Sequence, residues 1–316
     1  MKILLYNLYF NTFYSVFDVL RINQLDKYTQ NIFLTTDKNL INDMDVVLFN
    51  VPHLAFHLKE TITKKSGQIW VGWNLECEKN YPWILSKEID SLFDIWMTYH
   101  PDCDVPIPYL NDTFIERLKL AAPLFPEKDI CMFISSPVNS SHRVEYLKEL
   151  MKHIPIDSFG RLFHNKDVAN DTGYLTKQKI LSGYKFVISF ENAIYDDYVT
   201  EKFYDPLLAG SIPVYLGAPN IDVFSPGENA FVDVRKYSDP AELAMVLREY
   251  CQKKDSLDYF YEWKQNNLNP DFLEIANYQT VHPFERLIKR IENFKTKKMV
   301  EEQIAIKIGN GVLKYF

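Results

Sequence analysis

Residues 184–219 read YKFVISFENAIYDDYVTEKFYDPLLAGSIPVYLGAP. The run Phe186-Val187-Ile188-Ser189-Phe190 is long enough for a buried strand and too short for a helix. A polar loop with Glu191, Asn192, Asp196 and Asp197 follows. Val199, Phe203, Leu207 and Leu208 then recur at helical spacing, which predicts a helix from Tyr198 to Ala209, with Gly210 as its C-cap. Ile212-Pro213-Val214-Tyr215-Leu216 is a second strand-length run, stopped by the turn residues Gly217-Ala218-Pro219. The unit is therefore strand, helix, strand, with a right-handed crossover in a parallel sheet. Such sheets bind ligands at the carboxyl ends of their strands, and a helix N-terminus offers free N–H groups to phosphate. Glu201 and Lys202 stand in that first helical turn. The lysine can neutralise a phosphate, and the glutamate can accept hydrogen bonds from sugar hydroxyls. The plain alternative is a capped helix with a solvated acid–base pair.

Outward from this unit, 316 residues suggest two domains at roughly 100–200 residues each. Hydrophobic residues make up 47%, enough for two cores. A net charge of −7 disfavours a nucleic-acid binder, which would carry a basic patch. The cysteines Cys77, Cys103, Cys131 and Cys251 are scattered, so a reduced, cytoplasmic setting is expected. Met1 to Tyr6 reads as a strand instead of a signal peptide. No run of about 18 apolar residues offers a transmembrane helix. Neither a membrane anchor nor a stem is therefore expected.

Residues 1–110 read as a first α/β domain. Strands are expected at Lys2–Tyr6, Asp45–Asn50, Gln68–Trp73 and Phe93–Tyr99. The third opens into the polar loop Asn74-Leu75-Glu76-Cys77-Glu78-Lys79-Asn80-Tyr81-Pro82, again at a strand carboxyl end. The proline-rich stretch from His100 to Tyr109 reads as a linker. Residues 111–275 read as a second α/β domain, with a strand at Asp129–Ser136, a helix opened by Arg143 and another over Pro240–Cys251. The remainder, 276–316, is expected to carry an amphipathic helix from Pro283 to about Ile306. Phe284, Leu287, Ile288, Ile291 and Phe294 form its apolar stripe, and Arg286, Lys289, Arg290, Lys295, Lys297 and Lys298 its basic side. Packing on the core is the plain reading of this helix. Peripheral contact with an anionic membrane surface is the functional one.

Metal motifs are weak. Asp102-Cys103-Asp104 and Asp43-Met44-Asp45 are D-x-D patterns, common by chance, and the first lies in the proline-rich stretch. His53 and His57 are four apart, but Leu54 replaces the glutamate of a metalloprotease motif. No metal site is expected, and no P-loop pattern occurs.

The stretch FENAIYDDYVTEKFYDPLLAGSIPVYLGAP resembles the signature of the α-1,3-fucosyltransferases, roughly FENS–DYVTEK–LLAG–PVYLGAP, spacing included. NLECEKNY is similar to their FESP segment, with Cys77-Glu78 where Ser-Pro is common. DIWMTYHPDCDVPIPYL resembles their NWTLSYRxDSDVPxPYG, and the segment Ile156 to Arg161 their D-x-x-G-R/K. The chain is thus identified as a member of glycosyltransferase family 10, in a bacterial-type form. The resemblance implies a GT-B-like α/β fold of two Rossmann-like domains facing a cleft. It implies transfer of L-fucose, with inversion, from GDP-β-L-fucose to an oligosaccharide or glycolipid acceptor, at O3 of GlcNAc or Glc. No tightly bound cofactor and no divalent metal are implied. Glu76 is expected to be the base, with Glu78 as runner-up. Glu201 is assigned to the ribose or the positive sugar centre, Arg143, Lys202 and the weaker Arg161 to the pyrophosphate, and Asn192 and Tyr198 to the donor. A non-catalytic glycan- or nucleotide-binding module, or an enzyme using another GDP-sugar, is the alternative. The expected location is the cytoplasm, peripheral at the inner face of the membrane.

Overall fold

The computed structural model describes residues 1–7, 32–54, 61–120, 126–297, 304–309 and 312–315. Contacts divide the chain into two units, Met1–Ile107 with Tyr278–Phe316, and Pro108–Asn277.

The first unit is built on β1 (Lys2–Leu5), β2 (Phe33–Thr35), β3 (Val46–Asn50), β5 (Ile69–Asn74), β6 (Ile95–Thr98) and β7 (Val105–Pro106), in the order β2-β1-β3-β5-β6-β7. Every pairing is parallel. A parallel sheet is covered on both faces, so its strands read as unbroken apolar runs. Side chains alternate between the faces. Ile3, Leu5, Val46, Leu48, Ile69, Val71 and Ile95 pack on one. Leu4, Val47, Phe49 and Trp70 pack on the other, with Ile84, Ile89 and Leu92. A small antiparallel sheet joins β4 (Ile62–Lys64), β13 (Ile304–Gly309) and β14 (Val312–Tyr315), in the order β14-β13-β4.

The second unit holds β8 (Lys128–Met132), β9 (Asp157–Ser158), β10 (Tyr184–Phe190), β11 (Ile212–Leu216) and β12 (Val232–Asp233), in the order β12-β11-β10-β8-β9 and again all parallel. In sequence order the first sheet runs 2-1-3-4-5-6 and the second 2-1-3-4-5, the doubly wound pattern whose ligand crevice opens beside the first and third strands. Around the second sheet lie α1 (Phe114–Leu120), α2 (Arg143–His153), α3 (Tyr174–Leu181), α4 (Glu201–Ala209), α5 (Pro240–Gln252) and α6 (Pro270–Asn277). Leu147, Leu150, Leu243 and Leu247 from α2 and α5 close one face over Met132, Ile188 and Val214.

The strands expected from the sequence are present: β11 has the expected bounds, β10 starts two residues earlier, β5 is shifted by one residue, and β1, β3, β6 and β8 are shorter than expected. The 184–219 helix begins at Glu201, not Tyr198. Asp197 sits at φ 65°, and Thr200 is the extended N-cap, so residues 198–200 remain loop. The proline-rich stretch contributes β7. The terminal helix α7 (Pro283–Lys297) is shorter than expected, and Ile304–Gly309 is strand instead of helix. Lys298 and His57 lie outside the described residues.

Helix α7 belongs to the first unit. Phe284, Leu287 and Ile291 are fully buried in the same cluster as Ile3, Val46 and Val71. Of its basic side, Arg290 pairs with Asp104, Lys289 with Glu285 at 2.7 Å, and Arg286 lies over the Tyr278 ring. Phe284→Ala is expected to cost roughly 3–5 kcal/mol of stability, the usual range for deleting a buried aromatic. Chemical denaturation would measure it, and a change under 1 kcal/mol would place the helix outside the core.

Candidate active site

At the carboxyl end of β10 the chain turns on Glu191, which has no exposed surface. Its N–H donates to Leu216 O at 2.8 Å, which ties the turn to β11. Its carboxylate accepts from Thr200 N–H (2.8 Å) and from Thr200 Oγ1 (2.9 and 2.8 Å), and lies 3.4 Å from Lys202 Nζ. Burial pushes this carboxyl up, and Lys202 is the main influence pulling it back. Thr200 in turn caps α4 by accepting from Lys202 N–H.

Glu201 and Lys202 open α4 at this edge. Lys202 Nζ reaches Glu201 Oε1 at 3.1 Å and Thr200 Oγ1 at 3.0 Å. Burial acts against the charge on Glu201, but Lys202 and then Lys177 outweigh it and hold the carboxyl down at about 2. Lys202 is raised for the matching reason: burial opposes its charge, and Glu201 and Glu191 more than restore it. The Glu201 side chain keeps nearly half its surface open, so it can meet a ligand while ionised.

Arg143 is fully buried at the start of α2. Its Nη1 donates to Phe190 O at 3.0 Å and its Nη2 to Ser136 O at 2.9 Å. It thus bridges the end of β10 and the loop after β8, across the crevice of the sheet. Among the described residues its Nε has no hydrogen-bond partner. Burial lowers the guanidinium pKa, against the pull of Glu191, Tyr198 and Glu201. Asn192 is buried beside it, and its carbonyl accepts from Ser141 N–H at 3.0 Å. Tyr198 is buried edge-on to Tyr109, with ring centroids 6.4 Å apart. Arg161 is exposed one strand further along the same edge. It is delivered there by Gly160, where a Cβ would come within 2.2 Å of Ile134 O. Leu162 N–H donates to that same carbonyl at 3.0 Å.

The structure therefore gathers Arg143 with Asn192, Tyr198, Glu201 and Lys202 of the 184–219 stretch around one strand end. The sequence reading missed two partners. Thr200 lies inside the signature, yet its role emerges only when Glu191 folds back on it. Lys177, on α3, pairs with Asp205 at 2.6 Å and adds positive charge near Glu201. Nothing in its neighbourhood marked it.

In the first unit, Glu76 is half-buried on the loop after β5, and Asn74 Oδ1 accepts its N–H at 2.9 Å. Burial, then the charge of Glu76, raises the phenol of Tyr81 beside it. A cavity of about 440 Å³ opens at the carboxyl ends of β5 and β6, lined among others by Glu78, Leu85, Lys87, Asp90, Trp96 and His100. One carboxylate of each D-x-D has structural partners. Asp104 accepts from Trp96 N–H at 2.9 Å and pairs with Arg290, and Asp45 accepts from Lys2 N–H at 2.8 Å.

The profile described as "Fucosyltransferase, N-terminal" matches residues 1–110, and "Glycosyltransferase family 10 (fucosyltransferase) C-term" matches residues 126–305. The human 4-galactosyl-N-acetylglucosaminide 3-alpha-L-fucosyltransferase 9 is 32% identical over 241 residues, which cover 75% of this chain and 65% of that protein. The GDP-fucose protein O-fucosyltransferase 3 of Xenopus laevis is 30% identical over 225 residues, or 66% of this chain and 48% of that protein. The chain thus spans about two-thirds or less of the length of these relatives. A crystal structure of an alpha1,3-fucosyltransferase with GDP-fucose superposes with TM-score 0.66 at 17% identity, covering 96% of this chain and 92% of that one. The fold is that of the GT-B-like sugar transferases, two parallel sheets flanked by helices. The chain belongs to glycosyltransferase family 10.

The charge cluster makes a prediction. In Lys202→Met, the Glu201 carboxyl should rise from about 2 to its ordinary value or above, because burial then acts with less opposition. A carboxyl ¹³C titration by NMR would follow it. In the wild type the stability that Glu201 supplies is complete above its ordinary carboxyl range and fades as pH falls towards 2. Thr200→Val should destabilise by about 1–3 kcal/mol, since it removes a cap and leaves part of a buried carboxylate unsatisfied.

Proposed function

We propose that this protein transfers L-fucose from GDP-β-L-fucose to a glycan hydroxyl with inversion. The observation that carries the reading is the Glu201–Lys202 pair, ionised and partly open where α4 begins at the β10 edge, in a chain of the fucosyltransferase family. Fixed positive charge beside helix N–H groups suits a pyrophosphate leaving group. Lys202 and the exposed Arg161 meet that pyrophosphate. Arg143 supports it from behind with its unpartnered Nε–H. Asn192 and Tyr198 contact the donor, and Glu201 meets the ribose hydroxyls or the fucose centre as it becomes positive.

The first unit holds the acceptor in the cavity beside Trp96 and His100, which offers an aromatic surface together with acid and imidazole groups. Glu76, on the loop that lends Asn74 and Glu78 to the cavity lining, takes the proton from an acceptor hydroxyl presented at the cavity's edge. That oxygen bonds to the fucose anomeric carbon as the bond to the β-phosphate oxygen breaks, and GDP leaves with both electrons. The printed name of the human relative concerns an N-acetylglucosaminide and that of the Xenopus relative a protein. We favour a glycan, at O3 of GlcNAc or Glc. All four cysteines are free thiols, in keeping with a cytoplasmic setting at the inner face of the membrane. Among the described residues no helix is long and apolar enough to cross a membrane.

Transfer of radiolabelled fucose to a glycan array tests this reading. Glu76→Ala is expected to lose at least about 10²-fold in kcat. Glu201→Ala should abolish transfer in a protein that still folds. GDP binding by calorimetry without any transfer by the wild type would reduce the protein to a binding module. Because Asp104 and Asp45 are engaged within the fold, EDTA should leave the transfer rate within twofold.

A further inference from the structure

Two carboxylates lie two residues apart on the loop after β5, and their surroundings differ. Glu78 is 4% exposed. Its Oε1 accepts from Asn74 Nδ2 at 2.8 Å and lies 3.4 Å from His100 Nε2, and its Oε2 accepts from the Tyr99 hydroxyl. The other end of the Asn74 amide, Oδ1, accepts the Glu76 N–H at 2.9 Å. One asparagine side chain therefore links the main chain of Glu76 to the carboxylate of Glu78. Asn80 N–H to Cys77 O and Tyr81 N–H to Glu78 O, both at 2.9 Å, complete the turn. Cys77 is packed beneath it. Burial pushes its thiol up to about 11, so it serves as an inert filler.

We infer that Glu78 is a positioning residue: with Asn74, Tyr99 and His100 it forms a buried clasp that fixes the loop carrying Glu76. This rests on the reading of Glu76 as the base. Two donors, one on each oxygen, hold Glu78 at the ends of β5 and β6, and the His100 ring lies 3.4 Å from Oε1. A proton acceptor must leave a lone pair free for the substrate hydroxyl, and drawing Glu78 away would strand the buried amide of Asn74 and hydroxyl of Tyr99. Each such orphan costs about 1–3 kcal/mol. Glu76 joins the clasp through its N–H, which Asn74 Oδ1 accepts, and its side chain is half-buried. A glutamine at 78 keeps the shape but supplies one acceptor oxygen. Its NH₂ must then face either the Asn74 amide, donor against donor, or the Tyr99 hydroxyl, which has to turn its own proton away to accept; in both cases the charge-assisted bonds that tighten the clasp are lost.

The test compares Glu78→Gln, Asn74→Ala and Tyr99→Phe with Glu76→Gln in the full chain. Hydrogen exchange across residues 75–81 is measured beside fucosyl transfer at varied pH. Glu78→Gln is expected to exchange these amides at least tenfold faster. It should lower kcat by about 10²-fold, the scale of a small misplacement of a reacting group. KM for GDP-fucose should not change, and the acid limb of the pH–rate profile should stay in place. Asn74→Ala should act alike and Tyr99→Phe more mildly, while Glu76→Gln removes the acid limb with little change in exchange. Wild-type exchange and kcat in Glu78→Gln would overturn the proposal. So would loss of the acid limb in that variant, which would make Glu78 the base. Should the wild type transfer no fucose, accelerated exchange in Glu78→Gln and Asn74→Ala would still uphold the clasp, and only the role of Glu76 would fall.

Discussion

A carboxylate with no exposed surface is expensive to keep in a protein interior unless donors and an opposite charge surround it. Glu191 is such a group, and its partners all come from residues 200–202. That requirement closes the loop from 191 to 200 and fixes where α4 can begin. It also holds Lys202 between two carboxylates before any ligand arrives. Under the proposed function, a pyrophosphate bound here would meet a cation whose position is set by the protein, so little reorganisation would be needed as charge develops on the leaving group.

The two sheets share a strand order and close their crevices differently. In the first, Asn7 and Asn50 exchange two hydrogen bonds, Nδ2–H to Asn50 O at 2.7 Å and Asn50 N–H to Oδ1 at 2.8 Å, across the ends of β1 and β3. In the second, the corresponding gap is spanned by Arg143, which keeps an N–H in reserve. A neutral amide pair finishes its own hydrogen bonding and leaves no charge. A guanidinium with a spare donor favours an anion. Identical topology is thereby given different chemistry by one side chain at each switch point.

Much of this was legible in the sequence. Strands covered on both faces must be apolar throughout, so β3, β5, β10 and β11 announce themselves. The two-residue strands β9 and β12 are too short to carry any pattern. The start of α4 was misplaced because Tyr198 and Val199 fit helical spacing, whereas the left-handed Asp197 and the cap at Thr200 decide the boundary. The D-x-D at Asp102–Asp104 looked like a metal motif at short range. The partner of Asp104 is Arg290, 186 positions later, which no local reading could supply. Asn74 was unremarkable as a residue type. Its importance follows from what Glu78, four residues on, does with the other end of its amide.

The assignment of α7 to the first unit bears on how the chain is made. Residues 108–277 are continuous, whereas the first unit is assembled from two pieces of chain on either side of them. As the polypeptide leaves the ribosome, the second sheet has its whole complement of strands and helices long before Phe284, Leu287 and Ile291 appear. Until then the side chains these residues cover, Ile3, Val46 and Val71 among them, lack that cover and are adhesive. Nascent chains stalled between residues 278 and 283 should therefore be the species that recruit chaperones, with the second unit already native.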